Sequence, residues 1–134
     1  MTIKRLTRED IRNATGTFNP VGHAVLAFAD DTTTAQAVAA LRAAGFGEDD
    51  IIEYTGAAVA PRLREMVGTS SQSAGFGYEI TLMRRYLALA EAGCGWLVVY
   101  APDDAATQRV TDIATRFAAK SAVKYNRLLN EELI

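Results

Sequence analysis

The sequence predicts an α+β domain of the ferredoxin-like kind: a split βαβ sandwich in which two βαβ units form an antiparallel four-stranded sheet and a helical insertion separates the halves. Three observations lead there. Two apolar runs of strand length, HAVLAFA at 23–29 and GWLVVYA at 95–101, each precede an acidic turn and a stretch with helical periodicity. Setting Gly95 under His23, an offset of 72 (95 minus 23), aligns Ala29 with Ala101, Asp31 with Asp103, Gln36 with Gln108 and Val38 with Val110 without a gap, which reads as an internal duplication. Each half also closes on a second short run, 51–54 and 121–129. A parallel doubly wound sheet is the alternative; four strands are few for it, and it needs helices on both faces.

The elements follow in order. Residues 1–22 are polar and turn-rich, with Gly16, Asn19, Pro20 and Gly22, and read as an N-terminal arm outside the core. The first βαβ unit occupies 23–54. Its opening strand is apolar enough to be buried on both faces. Thr33 and Gln36 fit a capping box, Ala35, Val38, Ala39 and Leu41 form a stripe, and Gly45 offers a left-handed cap that sets Phe46 against the last turn. Glu48, Asp49 and Asp50 read as a solvated turn before the strand at 51–54.

The insertion spans 55–94. It predicts a short helix at 60–67 with Pro61 near its start, a glycine and serine loop at 68–77 (GTSSQSAGFG), and a longer helix at 78–92 stopped by Gly93. The longer helix carries two stripes, Phe76, Ile80, Met83, Leu87 and Tyr78, Leu82, Tyr86, Leu89, so it is expected to bury two sides. The second βαβ unit, 95–134, has a helix with Val110, Ile113, Ala114 and Phe117 on one side.

A chain of 134 residues is of single-domain length and buries about two-thirds of its unfolded surface. Its 49% hydrophobic and 22% charged residues are the balance of a folded globular protein. A net charge of -2 disfavours a partner held by phosphate neutralisation, so no nucleic acid is expected. A single cysteine, an early segment without an apolar run of signal-peptide length, and no stretch near the ~18 residues a membrane span needs point to a cytoplasmic protein with no membrane partner.

Alternation in the matched register puts Val25, Ala27, Leu97 and Val99 on one sheet face and Leu26, Phe28, Trp96, Val98 and Tyr100 on the other. If the smaller set lies beneath the two repeat helices, Phe28, Trp96 and Tyr100 form an apolar wall that the insertion, a second copy or a ligand must cover. Face-to-face or edge-to-edge homo-oligomerisation is the specific expectation.

Chemistry-bearing residues are sparse. His23 is the only histidine and Cys94 the only cysteine, so neither a histidine metal cluster nor a Cys-His pair close in sequence is available; no catalytic residue, metal or cofactor is predicted, and both are read as structural. Asp30-Asp31 and Asp103-Asp104 are read as helix caps. The 68–77 loop is the most site-like stretch, because glycines let a ligand approach backbone amides and a helix N-terminus follows. It lacks a Walker lysine and a complete dinucleotide fingerprint. Ser73, Gly75, Gly77, Tyr78, Glu79 and Arg85, with Phe28, Trp96 and Tyr100 on the wall, are the candidate ligand-binding residues.

The order of strand, helix ending in AAGF, strand 51–54, GWLVVYAPDD, helix and closing KYNRLLNEELI resembles small bacterial ferredoxin-like α/β proteins related to general stress protein domains, over 23–134. The resemblance implies a stress-linked or housekeeping protein without established active-site residues. The first functional expectation is therefore a non-enzymatic interaction or regulatory module that homo-oligomerises. The second is a small-molecule enzyme or ligand-binding protein of the dimeric α+β barrel type, for which a closed pocket with an inward polar group would speak. Single-stranded RNA binding on an open aromatic sheet face ranks last, for want of a basic rim.

Overall fold

The structure is a computed structural model that describes residues 4–13, 18–70 and 77–134. Its elements run α1 (Arg8–Asn13), β1 (His23–Phe28), α2 (Asp31–Ala43), a 3-10 turn (Glu48–Asp50), β2 (Ile51–Tyr54), α3 (Gly56–Ser70), α4 (Gly77–Glu91), β3 (Gly95–Tyr100), α5 (Asp104–Arg116), β4 (Ser121–Lys124) and β5 (Glu131–Glu132). The strands form one antiparallel sheet in the order β2-β3-β1-β4-β5, so the fold is α+β and the parallel alternative falls away. Five strands stand where four were expected. The closing run predicted for 121–129 ends at Lys124, bends around 127–128, and returns as β5 against β4.

Helices α2 and α5 are built alike. Asp30 caps α2 by accepting from the Thr33 N–H at 2.7 Å, and Asp103 caps α5 by accepting from the Ala106 N–H at 2.8 Å. The Thr34 and Thr107 hydroxyls donate back to the carbonyls of those same aspartates. The caps thus fall to the aspartates, and the expected Thr33–Gln36 capping box is not the device used. At the other end Gly45 (φ +105°) and Ala118 (φ +53°) each occupy the left-handed position, with Phe46 N–H donating to Leu41 O and Ala119 N–H to Ala114 O. These landmarks relate the two helices by an offset of 73 (103 minus 30), one more than the alignment of 95 under 23.

That single residue inverts the face assignment, because side chains on a strand alternate with period two. In the β1–β3 register Val25 pairs with Val98 and Leu26 with Leu97. Ala24, Leu26, Phe28, Leu97 and Val99 therefore pack with Ala37, Leu41, Val110, Ile113 and Ala114 beneath α2 and α5. Val25, Ala27, Trp96 and Val98 line the opposite face, with Ala60 and Leu63 of α3 and Leu82, Met83, Tyr86 and Ala90 of α4. Phe28 is fully buried under the paired helices, so the expected wall of Phe28, Trp96 and Tyr100 does not exist as one surface.

The insertion covers its own sheet. Its second helix buries members of both stripes, Met83 from one and Leu82 and Tyr86 from the other, as a helix wedged between sheet and neighbour requires. Helix α3 is longer than predicted, and Pro61 lies inside it at an exposed position. The N-terminal arm is likewise not outside the core: α1 buries Ile11, and Leu6 and Phe18 pack on the same cluster. Its polar composition hid three apolar residues spaced widely enough to reach the sheet. The arm is fastened by the Leu6 N–H, which donates to His23 Nε2 at 3.1 Å.

Candidate binding cavity

Between the sheet and its insertion lies a cavity of about 230 Å³. Val25 of β1 with Trp96 and Val98 of β3 supply the sheet side, α3 contributes Val59, Leu63 and Met66, and α4 contributes Tyr86. Strand alternation places these sheet residues on the cavity side, and the amphipathic spacing of α3 aims 59, 63 and 66 back at them. Ile11 of α1 and Phe18 close the apolar surround. Tyr86 packs edge-on to Trp96, ring centroids 5.0 Å apart, which fixes the indole in place.

Polar groups converge on this apolar chamber. Arg8 and Arg12 come from α1, Arg62 from α3, and Tyr54 from β2. Arg8 donates to the Glu53 carbonyl at 2.8 Å and lies over the Tyr54 ring, 5.0 Å from its centroid. Arg62 donates to the carbonyls of Ile11 and Arg12, tying α3 to the end of α1. Burial raises the Tyr54 phenol above its ordinary range, against the opposing pull of Arg8, Arg62 and Arg12, so at neutral pH it stays protonated. Trp96 is 3% exposed, and its indole Nε1–H has no hydrogen-bond partner among the described residues. A buried donor in that condition is costly, about 1–3 kcal/mol, unless something completes it.

The residues singled out from sequence are dispersed by the fold. Trp96 lines the cavity, whereas Phe28 is on the other side of the sheet. Tyr100 ends β3 on the cavity-side face but packs against His23 at 5.1 Å between ring centroids, away from the chamber. Arg85 is exposed and donates to Glu132 Oε1 at 3.1 Å and Ser121 Oγ at 3.3 Å, bracing β5. Gly77, Tyr78 and Glu79 form the start of α4; Ser73 and Gly75 lie outside the described residues. Arg8, Arg12, Tyr54 and Arg62 were not found from sequence. Arg8 and Arg12 stand four apart, which is one helix face, but nothing in the chain links them to position 62.

His23 is buried and doubly engaged: Nε2 accepts from Leu6, so Nδ1 carries the proton and donates to Val21 O at 3.1 Å. Burial lowers its pKa and keeps it neutral. Burial likewise pushes the Cys94 thiol up, away from the reactive thiolate. Among the described residues no three His, Cys, Asp or Glu side chains are grouped to hold a metal, and no helix is long and apolar enough to cross a membrane.

In comparisons with known proteins, no family model, no curated protein and no solved structure matches the chain.

Proposed function

We propose that the chain is a regulatory binding module that takes a small, largely apolar molecule into the cavity between its sheet and insertion, on a ferredoxin-like frame. The frame reading rests on the order β2-β3-β1-β4 and on the like-capped helices α2 and α5. The observation that carries the binding reading is a mostly apolar chamber whose polar lining includes three guanidiniums and the Tyr54 phenol, with Trp96, whose buried N–H is unpaired among the described residues, in its wall. Guanidinium, phenol and indole groups hold and orient a ligand. The guanidiniums and indole act as neither base nor nucleophile, and burial holds the Tyr54 phenol protonated, so we place binding ahead of catalysis. A stress-linked role, as the layout resemblance implies, is the setting in which such a sensor would serve.

Because Trp96 is the only tryptophan, its indole N–H gives one cross-peak in an amide correlation spectrum. Titration with 4-phenylbutanol should move that peak saturably. An unmoved indole peak at millimolar ligand would refute the cavity as a binding site.

Homo-oligomerisation is a second reading, favoured by one observation: Leu128, Leu129 and Ile134 are 94%, 79% and 54% exposed. With the sheet faces covered by the chain's own helices, a second copy would meet this C-terminal patch. Light scattering giving a mass of 14.4 kDa at high concentration would set it aside.

A further inference from the structure

Resting on that binding reading, we propose that the ligand is a carboxylate with an aromatic or aliphatic body, its head group held among Arg8, Arg12 and Arg62. Three groups of observations point to this class.

The first is charge. Among the described residues no Asp or Glu lines the cavity, and three guanidiniums do. The ion pairs found among the described residues occupy Lys4, Arg5, Arg64 and Arg85, and none involves the three cavity arginines. Their partners are neutral: the Glu53 carbonyl for Arg8, and the Ile11 and Arg12 carbonyls for Arg62. These bonds aim two guanidiniums without cancelling their charge. Each guanidinium has five N–H donors, so donors are left over for a guest. Arg12 makes no side-chain hydrogen bond or ion pair among the described residues and is free to close on the head group.

The second is hydrogen-bond polarity. Arginine and the Trp96 indole are donors only, and the Tyr54 phenol keeps its proton to give. A carboxylate is an acceptor only, so it complements the guanidiniums and the phenol. An ammonium head would meet like charge.

The third is shape. The chamber is apolar towards Val25, Trp96 and Val98, with the arginines contributed by α1 and α3 from the other side. Its volume of about 230 Å³ is below the usual range for drug-sized ligands, which suits a body of one ring or a short chain.

The test compares 4-phenylbutanoate with 4-phenylbutanamide, which match in shape and differ in charge, on the full chain, following the Trp96 indole and arginine Nε–H peaks. The carboxylate should bind at least about tenfold more tightly, the worth of a charge-assisted contact, and the preference should shrink as salt is raised. Arg12→Gln, at an exposed position, should keep the fold by circular dichroism and lose most of the preference for the carboxylate over the amide. Equal affinities for the two ligands would overturn the carboxylate assignment while leaving the cavity a binding site. No response to either would overturn both readings. An undiminished preference in Arg12→Gln would overturn the placement of the head group.

Discussion

Two glycines of the same helix should respond to alanine in opposite directions. Gly56 opens α3 against the C-terminal turn of α4, where a Cβ would lie 2.5 Å from the Cys94 carbonyl oxygen and 3.3 Å from that of Ala90. Both are backbone atoms, and the turn is itself fixed by Gly93 at φ +97° and by the Cys94 N–H bond to Leu89 O. Restoring a 3.0 Å contact moves helix against turn by about 0.5 Å (3.0 minus 2.5), an overpacking strain of about 1–3 kcal/mol. At Gly68, late in α3, a Cβ meets nothing within 4 Å among the described residues, so alanine there adds helix propensity worth about 0.5–1 kcal/mol. Gly56→Ala and Gly68→Ala should therefore differ by about 1.5–4 kcal/mol. For a chain of this size that is about 5–14 °C between their melting temperatures, with the parent in between. Thermal unfolding followed by circular dichroism measures it. If Gly56→Ala melts at or above the parent, α3 does not approach the β3 entry turn as described, and the insertion's seat over the sheet is wrong.

Ala118→Gly should stabilise the protein by about 0.5–1 kcal/mol, since alanine in the left-handed region is strained and glycine is not; urea titration of the two proteins decides it. His23 should make stability pH-dependent in a defined window. Its folded pKa lies below the ordinary value near 6.5, so the unfolded chain takes up a proton first; stability is full above about pH 6.5 and falls as pH drops towards the folded value. Being the only histidine, it makes urea midpoints at pH 7.5 and 5.5 a direct check, with Tyr100 and the Lys124 charge as its near neighbours. A flat profile there would contradict the neutral, doubly bonded imidazole. Phe28→Leu should cost up to about 1.5 kcal/mol by chemical denaturation yet leave the Trp96 indole response to ligand unchanged, because Phe28 lies across the sheet from the cavity.

What could be read from the sequence was what is local. The aspartates before α2 and α5, the left-handed Gly45, the stop at Gly93 and the two-sided α4 are each specified within a few residues, and the structure has them all. The face assignment failed on one residue of register. Alanine and valine matches favoured an offset of 72, while the true markers of 73 were hard to see because the second left-handed cap is Ala118 and carries no glycine signature. The cavity was illegible for a different reason. Its arginines come from segments about fifty residues apart, and the arm bearing two of them looked too polar to pack, although Leu6, Ile11 and Phe18 anchor it.

The outermost strand of the sheet carries one more consequence. β5 is two residues long, and both are glutamates, one of them tethered by Arg85. A margin so short and so negatively charged offers an incoming strand almost no backbone to copy and repels another acidic one, which guards that side against fibril-like growth. Neutralising Glu131 and Glu132 would strip the guard from beside the greasy Leu128 and Leu129, turning a quiet border into a nucleus for self-assembly.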